Sequence, residues 1–118
     1  MIPIGTSTID VFICLEPCDM RKGFNGLYAV VVDRLGDDPK KEAVFVFTNK
    51  PRTRIKILHF DGTGLWVSCK RLEQGTFSWP KASEADQKKI KLHFEALQLL
   101  VDGVDFKGAK FLPWYQRD

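Results

Sequence analysis

One stretch of the sequence concentrates positive charge, RTRIKILHFDGTGLWVSCKRL at residues 52–72. Its charged side chains are five cations and a single acid: Arg52, Arg54, Lys56, Lys70 and Arg71, against Asp61. Arg52, Arg54 and Lys56 are spaced two residues apart, so an extended strand would project all three from one face. A row of this kind matches a phosphate backbone by electrostatics alone. The stretch predicts contact with nucleic acid, and the alternative is a charged edge strand that resists aggregation.

A second pair of cations, Arg21 and Lys22, follows Asp19, which is a good N-cap for a helix. The first turn of a helix ordinarily favours acids because its free N–H groups carry partial positive charge. Cations at this position would strengthen an anion site at the helix N-terminus, unless both side chains simply point into water. With Lys50 included, the sequence proposes eight nucleic-acid-binding residues: Arg21, Lys22, Lys50, Arg52, Arg54, Lys56, Lys70 and Arg71.

Three aromatic residues lie near these cations in the sequence, namely Trp66, Phe77 and Trp79. Proteins that bind single-stranded nucleic acid stack bases on side chains of this type. In a domain this small, however, tryptophans usually belong to the core. Burial is therefore the expectation, with base stacking as the alternative.

The cysteines do not follow a metal-binding pattern. Cys14 and Cys18 are four residues apart, whereas structural zinc sites use closer pairs such as C-x2-C, and a set completed by Cys69 and His59 would lack a second pair. The other histidine, His93, is expected at a helix start or on the surface. The first residues have neither the basic start nor the long apolar run of a signal peptide. We therefore expect reduced thiols, no metal, no cofactor and a cytoplasmic protein.

For catalysis the sequence offers no G-x-S-x-G, P-loop, H-E-x-x-H or Gly-rich dinucleotide motif. Its acids are scattered, and the flanking residues single out none of them: Asp19, Asp33, Asp61 and Glu73. Asp61, in the sequence DGTG, is most simply a turn residue. The sequence thus predicts a protein that is not an enzyme, and the alternative is a metal-dependent nuclease that uses Asp61 with other acids.

Hydrophobic periodicity predicts the elements that position these residues. A strand is expected within 8–17, with Ile9, Val11 and Ile13 on one face, and a helix near 20–35. A meander of strands follows near 42–48, 54–60 and 65–71, the first of them buried on both faces and the last two joined by a hairpin loop at 61–64. The apolar stripe of the predicted helix consists of Phe24, Leu27, Val31 and Leu35.

Two interpretations fit the C-terminal third. Residues 84–102 could form one helix with an apolar stripe, or KIKL could be a short strand followed by a helix near 93–102 that ends at Gly103. The second is favoured. The aromatic and basic tail 104–118 is expected to pack on the surface or to be flexible.

Taken together, the elements predict an α+β fold, a small single domain over residues 1–118 built on a mostly antiparallel sheet. The chain of 118 residues is 44% hydrophobic and 28% charged, as ordinary globular proteins are. Its net charge is only +3, so the positive charge is a local feature. No apolar run approaches the length of a membrane span, and an exposed edge strand would allow a homodimer.

Three segments together resemble one bacterial family: DMRKGFNGL at 19–27, FVFTNKPRTRIKILHFDGTGLWVSCKRLEQGTFSWP at 45–80, and IKL with LQLLVDGVDF within 90–106. This is the TnpB-type accessory protein of insertion sequences of the sixty-six family, also called second-open-reading-frame-like. The resemblance covers about residues 8–106. Six of the cations match recurring basic positions of that family: Arg21, Lys22, Arg54, Lys56, Lys70 and Arg71.

The resemblance implies an accessory protein of transposition, encoded beside a separate transposase that carries the catalytic acids. Two partners are therefore expected, DNA and the transposase encoded by the same element. An adaptor that contacts the transposase without DNA is the alternative, and the aromatic tail residues Phe111, Trp114 and Tyr115 would then be its interface. The family pattern has a polar residue before the last helix, where this chain has His93.

Overall fold

The computed structural model describes residues 9–103, which form five strands and two helices. The elements are β1 Asp10–Cys14, α1 Phe24–Asp33, β2 Ala43–Thr48, β3 Arg54–Phe60, β4 Leu65–Arg71, β5 Lys89–Leu92 and α2 Phe94–Val101. The α+β class and the predicted meander are confirmed. The tail 104–118, with Phe111, Trp114 and Tyr115, lies outside the described residues.

All five strands form one sheet in the order β4-β3-β2-β1-β5. β1 and β2 are parallel, with α1 as the crossover between them, and the other neighbours are antiparallel. β2 lies at the centre, and all six of its residues are buried, as its unbroken apolar sequence predicts. β4 and β5 are the two edges of the sheet.

The sheet has a separate hydrophobic cluster on each face. Alternate residues of the strands supply the two clusters, because successive side chains point to opposite sides. Phe45 and Phe47 of β2 pack under α1, together with Leu27. Val44 and Val46 pack on the other face with α2 and with Phe77 and Trp79, from the segment after β4. We refer to these as the α1 face and the α2 face.

Helix α1 begins four residues later than the Asp19 cap predicts, so that prediction is wrong. The Asp19 carboxylate accepts the backbone N–H of Arg21 at 2.8 Å and pairs with the Arg21 guanidinium at 2.6 Å. These local bonds hold a turn in place of a helix. Gly23 is the N-cap instead, and the first helical bond joins the Leu27 amide to the Gly23 carbonyl at 2.9 Å. Phe24, expected in the buried stripe, is 52% exposed.

The strand-plus-helix interpretation of the C-terminal third is confirmed. Residues 89–92 pair with β1 as β5, and α2 starts directly afterwards with His93 as its N-cap. The predicted glycine stop is also present, since Gly103 has a φ of +82°. Within residues 9–103, neither helix is long and apolar enough to cross a membrane.

Candidate nucleic-acid interface

The predicted cations lie at or near one end of the sheet. β1, β2 and β4 finish at this end and β3 begins there. The loop 15–23 is attached to it because the Cys18 amide donates to the Thr48 carbonyl at 2.8 Å. We call this region the basic end and define it by eight residues: Arg21, Lys22, Lys50, Arg52, Arg54, Lys56, Lys70 and Arg71.

The pairing of β3 with β4 decides which face each strand cation occupies. Arg54 lies opposite Arg71, and Lys56 lies opposite Cys69. These positions alternate with Ile55, which packs into the cluster on the α2 face. Arg54, Lys56 and Arg71 therefore share the α1 face, as the spacing of the β3 cations predicts.

Lys70 projects to the α2 face, since it lies opposite Ile55. Its Nζ donates to the carbonyl oxygen of Val101 at 2.8 Å, at the last turn of α2. A cation at this position satisfies a terminal carbonyl and complements the helix dipole. Lys70 thus connects β4 with α2 and does not continue the row formed by Arg54 and Lys56.

A groove of about 530 Å³ opens between the ends of β3 and β4. Four of its lining residues are cations and one is an acid: Arg54, Lys56, Lys70 and Arg71, with Glu73. Met20 and Cys69 also line it, and no sequence pattern singled them out. The groove is open and positively charged, so its surface suits an extended anionic chain.

Lys56 has a structural task besides its charge. It is half-buried, and its Nζ donates to the carbonyl oxygen of Lys22 at 2.7 Å. This bond fastens the loop before α1 to β3. The Lys22 side chain in turn lies so close to α1 that a Cβ on Gly26 would be 2.9 Å from the Lys22 Cβ. Gly26 therefore allows the close approach of the loop and the helix.

The turn between β2 and β3 is organised by Asn49. Its Oδ1 accepts the amides of Thr53 and Arg54 at 2.9 and 3.1 Å, and its Nδ2 donates to the Thr53 hydroxyl. Asn49 is not among the site residues that the sequence predicts. The sequence does contain an indication of this role, since an Asn opens the turn NKPRT and Asn side chains often bind backbone amides of the residues that follow.

Arg52, within this turn, has a φ of +59°, and no other non-glycine residue in 9–103 has a positive φ. That conformation normally favours glycine. It is held from outside the turn, since the Phe77 amide donates to the Arg52 carbonyl at 2.7 Å. The arginine is therefore fixed in an unfavourable backbone conformation at the tip of the most basic loop.

Cations at the basic end mostly lack acidic partners, in contrast to those elsewhere. Among the described residues, Arg21 and Arg71 are the two basic-end cations that form ion pairs, with Asp19 and Glu73. Outside the basic end, five of the seven cations within residues 9–103 are ion-paired: Arg34, Lys41, Lys88, Lys89 and Lys91. Four basic-end cations form no side-chain hydrogen bond or ion pair with residues of that range: Lys22, Lys50, Arg52 and Arg54.

The aromatic residues divide between core and surface. Phe77 and Trp79 are buried, and the Trp79 indole donates to the Cys14 carbonyl at 3.0 Å. Trp66 differs from the expectation, because it is 46% exposed. Its indole N–H is bound to the Asp61 carboxylate at 2.7 Å, so the ring is held at the opposite end of β4 from the cations.

The thiols do not assemble with a histidine. Cys14 and Cys18 are buried on the α1 face, His59 projects to the α2 face, and Cys69 is exposed in the groove. A hydrogen bond with Cys14, assisted by the charge of Arg34, lowers the pKa of Cys18 to about 7. The same bond raises the pKa of Cys14, so Cys18 is the sulfur of the pair that ionises first.

The Asp61 side chain stabilises the hairpin turn between β3 and β4. Its carboxylate accepts the amides of Thr63 and Gly64, the Thr63 hydroxyl and the indole of Trp66. The bond from the Thr63 amide is the largest of several that lower the pKa of Asp61. In the described part of the chain, no three His, Cys, Asp or Glu side chains come together in a way that could hold a metal ion.

Comparison with known proteins gives one family and two relatives. A protein-family model described as "IS66 Orf2 like protein" matches residues 9–111. A protein of Sinorhizobium fredii (strain NBRC 101917 / NGR234) named uncharacterized protein y4jC is 34% identical over 111 residues, which cover 93% of this chain and 92% of the relative. Uncharacterized protein y4hO of the same strain is 32% identical over 107 residues, 91% of this chain and 90% of the relative. No solved structure gives a significant match.

Proposed function

The chain belongs to the family of IS66 Orf2-like proteins, and on that premise we propose that it is a non-catalytic accessory protein of insertion-sequence transposition that binds the DNA backbone through its basic end. In this proposal the separate transposase supplies the chemistry. The accessory protein contributes affinity for DNA at or near the place where the transposase acts.

One observation carries the proposal, namely that half of the basic-end cations have no acidic partner among residues 9–103. A phosphate that meets a paired cation must compete with the carboxylate, so the surface pairs elsewhere on the molecule are poor phosphate ligands. Lys22, Lys50, Arg52 and Arg54 have no such competitor within residues 9–103. The fixed turn that carries two of them limits the freedom that would be lost on binding.

A salt series of fluorescence anisotropy with a labelled duplex tests this proposal. Each phosphate contact that is removed should flatten the slope of log K against log salt by roughly 0.9. The variant with both Lys50→Ala and Arg54→Ala should therefore bind more weakly and lose about two contacts from the slope. Lys56 is left unchanged, because its bond to the Lys22 carbonyl also holds the loop before α1.

The matched control removes two charges at a distance from the basic end. Lys40 lies near the opposite end of the sheet, against the Phe60 ring, and Lys91 pairs with Asp10. The variant with Lys40→Ala and Lys91→Ala should keep the wild-type slope. Equal losses in both variants would mean that DNA senses only net charge, and no binding at low salt would exclude the DNA role.

Contact with phosphates alone also predicts weak sequence preference. Backbone contacts fix position on the duplex but carry no base information. In the same assay, a duplex from the end of the element and a scrambled duplex of equal length should bind with similar affinity. A strong preference for the element end would require contacts to base edges in addition.

A second candidate function is contact with the transposase, and an exposed stripe on α1 favours it. Phe24, Tyr28 and Val32 are spaced four residues apart and so lie along one side of the helix. Phe24 is 52% exposed and Val32 is 46% exposed. An apolar stripe on a surface helix is a typical protein contact. The two functions are compatible, since the stripe and the basic end use different residues.

A further inference from the structure

The outer edge of β4 is unpaired within residues 9–103. β4 is the last strand of the sheet order, and its neighbour on the inner side is β3. None of its seven residues is buried, and four of them are exposed: Trp66, Cys69, Lys70 and Arg71. A strand of this length with free N–H and C=O groups is a template for pairing with another strand.

The hydrogen-bond pattern identifies which residues of β4 point outward. The Asp61 amide bonds the Gly64 carbonyl at one end of the hairpin, and the Leu72 amide bonds the Thr53 carbonyl at the other. Antiparallel pairs alternate between bonded and non-bonded, so the even-numbered residues 64–72 bond inward to β3. The backbone groups of Leu65, Val67, Cys69 and Arg71 therefore face outward.

From this pattern we infer that β4 pairs with β4 of a second copy of this chain, antiparallel and centred on Ser68. In that register each outward-facing residue lies opposite an outward-facing residue of the second copy, Leu65 opposite Arg71 and Val67 opposite Cys69. The two-fold symmetry forms each of these pairs twice. Ser68 lies opposite Ser68, in a non-bonded pair. All four outward positions of both strands are then satisfied.

The charges along β4 complement one another in this arrangement. Lys70 and Arg71 lie at one end of the strand, and Asp61 lies beyond the other end, bound to the indole of Trp66. The two-fold axis brings Lys70 opposite Trp66 of the second copy, beside that copy's Asp61. A parallel pairing in register would instead bring the cations of both copies together, which is unfavourable.

An apolar groove of about 380 Å³ runs along the same edge on the α1 face. Phe24 of α1 lines it with Leu65 and Val67 of β4, whose side chains share the α1 face, and Asp61 and Gly64 lie at one end. Phe24 on the α1 face and Trp66 on the α2 face are two of the three large hydrophobic residues that are exposed in the described part of the chain. Pairing through β4 would bury part of the apolar surface along this edge, and a second copy supplies an identical edge.

Sedimentation equilibrium of the full chain at micromolar concentrations tests the inference, with twice the 13.5 kDa chain mass as the expected result. Cys69→Pro removes an outward N–H in each copy without touching a bond to β3, so dimer dissociation should become at least about tenfold easier. Cys69→Ser changes the same side chain but keeps the N–H, and should remain dimeric. A monomeric wild type, or a dimer that resists Cys69→Pro, would overturn the inference.

The register has its own test in a cross-link. With Cys69→Ser as background, Ser68→Cys should form a disulfide-linked dimer under mild oxidation, because the two Ser68 positions face each other. Linkage of wild type through Cys69, without linkage through position 68, would contradict the register. A monomer whose outward amides exchange slowly with deuterium would show that another segment of the chain covers the edge, and would overturn the proposal.

These outcomes are independent of the DNA experiment. The salt-series variants at positions 50 and 54 lie outside the strand that pairs. Loss of the dimer with an unchanged salt slope would remove the second copy and leave the proposed function intact. A dimer without DNA affinity would support pairing through β4 and exclude the proposed DNA role.

Discussion

Individual cations at the basic end differ in what else they do. Lys56 and Lys70 bind backbone carbonyls of distant segments, and Arg21 and Arg71 are paired with acids. Arg52 has only its charge and an unfavourable backbone conformation. A residue other than glycine at a position where glycine would be more stable is a candidate for a functional role.

Two replacements of Arg52 distinguish its contribution to DNA binding from its effect on stability. Arg52→Gly should stabilise the protein relative to Arg52→Ala by about 1 kcal/mol, because glycine adopts a positive φ without steric cost. Both variants should lose the same DNA affinity in the anisotropy assay. Urea denaturation measures the first difference. Equal stability of the two variants would mean that the turn relaxes, and that φ at position 52 is not constrained.

The sequence identifies the charged residues at this scale but not their partners. The spacing of Arg54 and Lys56 shows that they share a face, since a strand alternates. The bond from Lys56 to the Lys22 carbonyl joins residues 34 apart in the chain, and no local pattern contains that information. The residue type of Asp19 predicts a helix cap, but the nearby Arg21 side chain binds its carboxylate instead.

At the scale of elements, Asp37 connects three parts of the fold. It follows α1, and its carboxylate pairs with Lys41, ahead of β2, at 2.7 Å and with Lys89 of β5 at 2.6 Å. Both ammonium groups also lie over the Phe12 ring of β1. Burial opposes ionisation of Asp37, but the hydrogen bonds from Lys41 and Lys89 outweigh it and lower its pKa to about 2.

Because the pKa of Asp37 is lower in the folded state than in the unfolded state, the ionised carboxylate stabilises the fold. That contribution is complete above the ordinary pKa of 3.8 and is lost as the pH falls towards about 2. Asp37→Asn should therefore lower the free energy of unfolding by about 1–2 kcal/mol near neutral pH, and the difference from wild type should shrink as the pH falls through that window.

Thermal or urea unfolding across a pH series measures this difference, and Asp33→Asn is the matched control. Asp33 ends α1, is exposed, and has no ion pair among residues 9–103, so its replacement removes the same charge without the two contacts. A constant difference between Asp37→Asn and wild type from neutral to acid pH would show that packing, and not ionisation, is responsible.

The sequence predicts a helix or strand well where the hydrophobic pattern that defines it lies entirely within that element. The unbroken apolar run of β2 and the alternation of β3 fix both strands and the hairpin between β3 and β4. The order of strands was not accessible in the same way. β5 pairs with β1, about 75 residues earlier, because both present apolar residues to the α2 face, and many strand orders satisfy that condition.

At the scale of the whole molecule, three neighbouring surfaces differ in the groups that they present. The basic end carries the unpaired cations, the edge of β4 carries unpaired backbone groups, and the solvent side of α1 carries an apolar stripe. Phe24 belongs to both the stripe and the groove beside β4, whereas Val32 lies eight residues further along α1. Val32 is therefore the position that reports on the stripe alone.

Contact with the transposase would depend on that stripe. Val32→Ser should reduce co-purification of the transposase encoded by the same element, and nuclease treatment should not change the amount recovered. Val32 is 46% exposed, so the fold should tolerate the change. Ala29→Ser, at an exposed position outside the stripe, should recover as much transposase as wild type. Equal recovery with both variants would exclude the stripe as the contact.

The order β4-β3-β2-β1-β5 also has a consequence for synthesis on the ribosome. β1 emerges first, but the strand that completes its outer side emerges only at residues 89–92, and α2 follows it. Until then the apolar residues of β1 and β2 on the α2 face lack the cover of α2, and only the segment with Phe77 and Trp79 packs on them within residues 9–103. The nascent chain can assemble its α1 layer early, while closure of the second layer must wait for its last third. Premature termination within that third would therefore release a product with an exposed apolar sheet face, a natural substrate for chaperones and proteases.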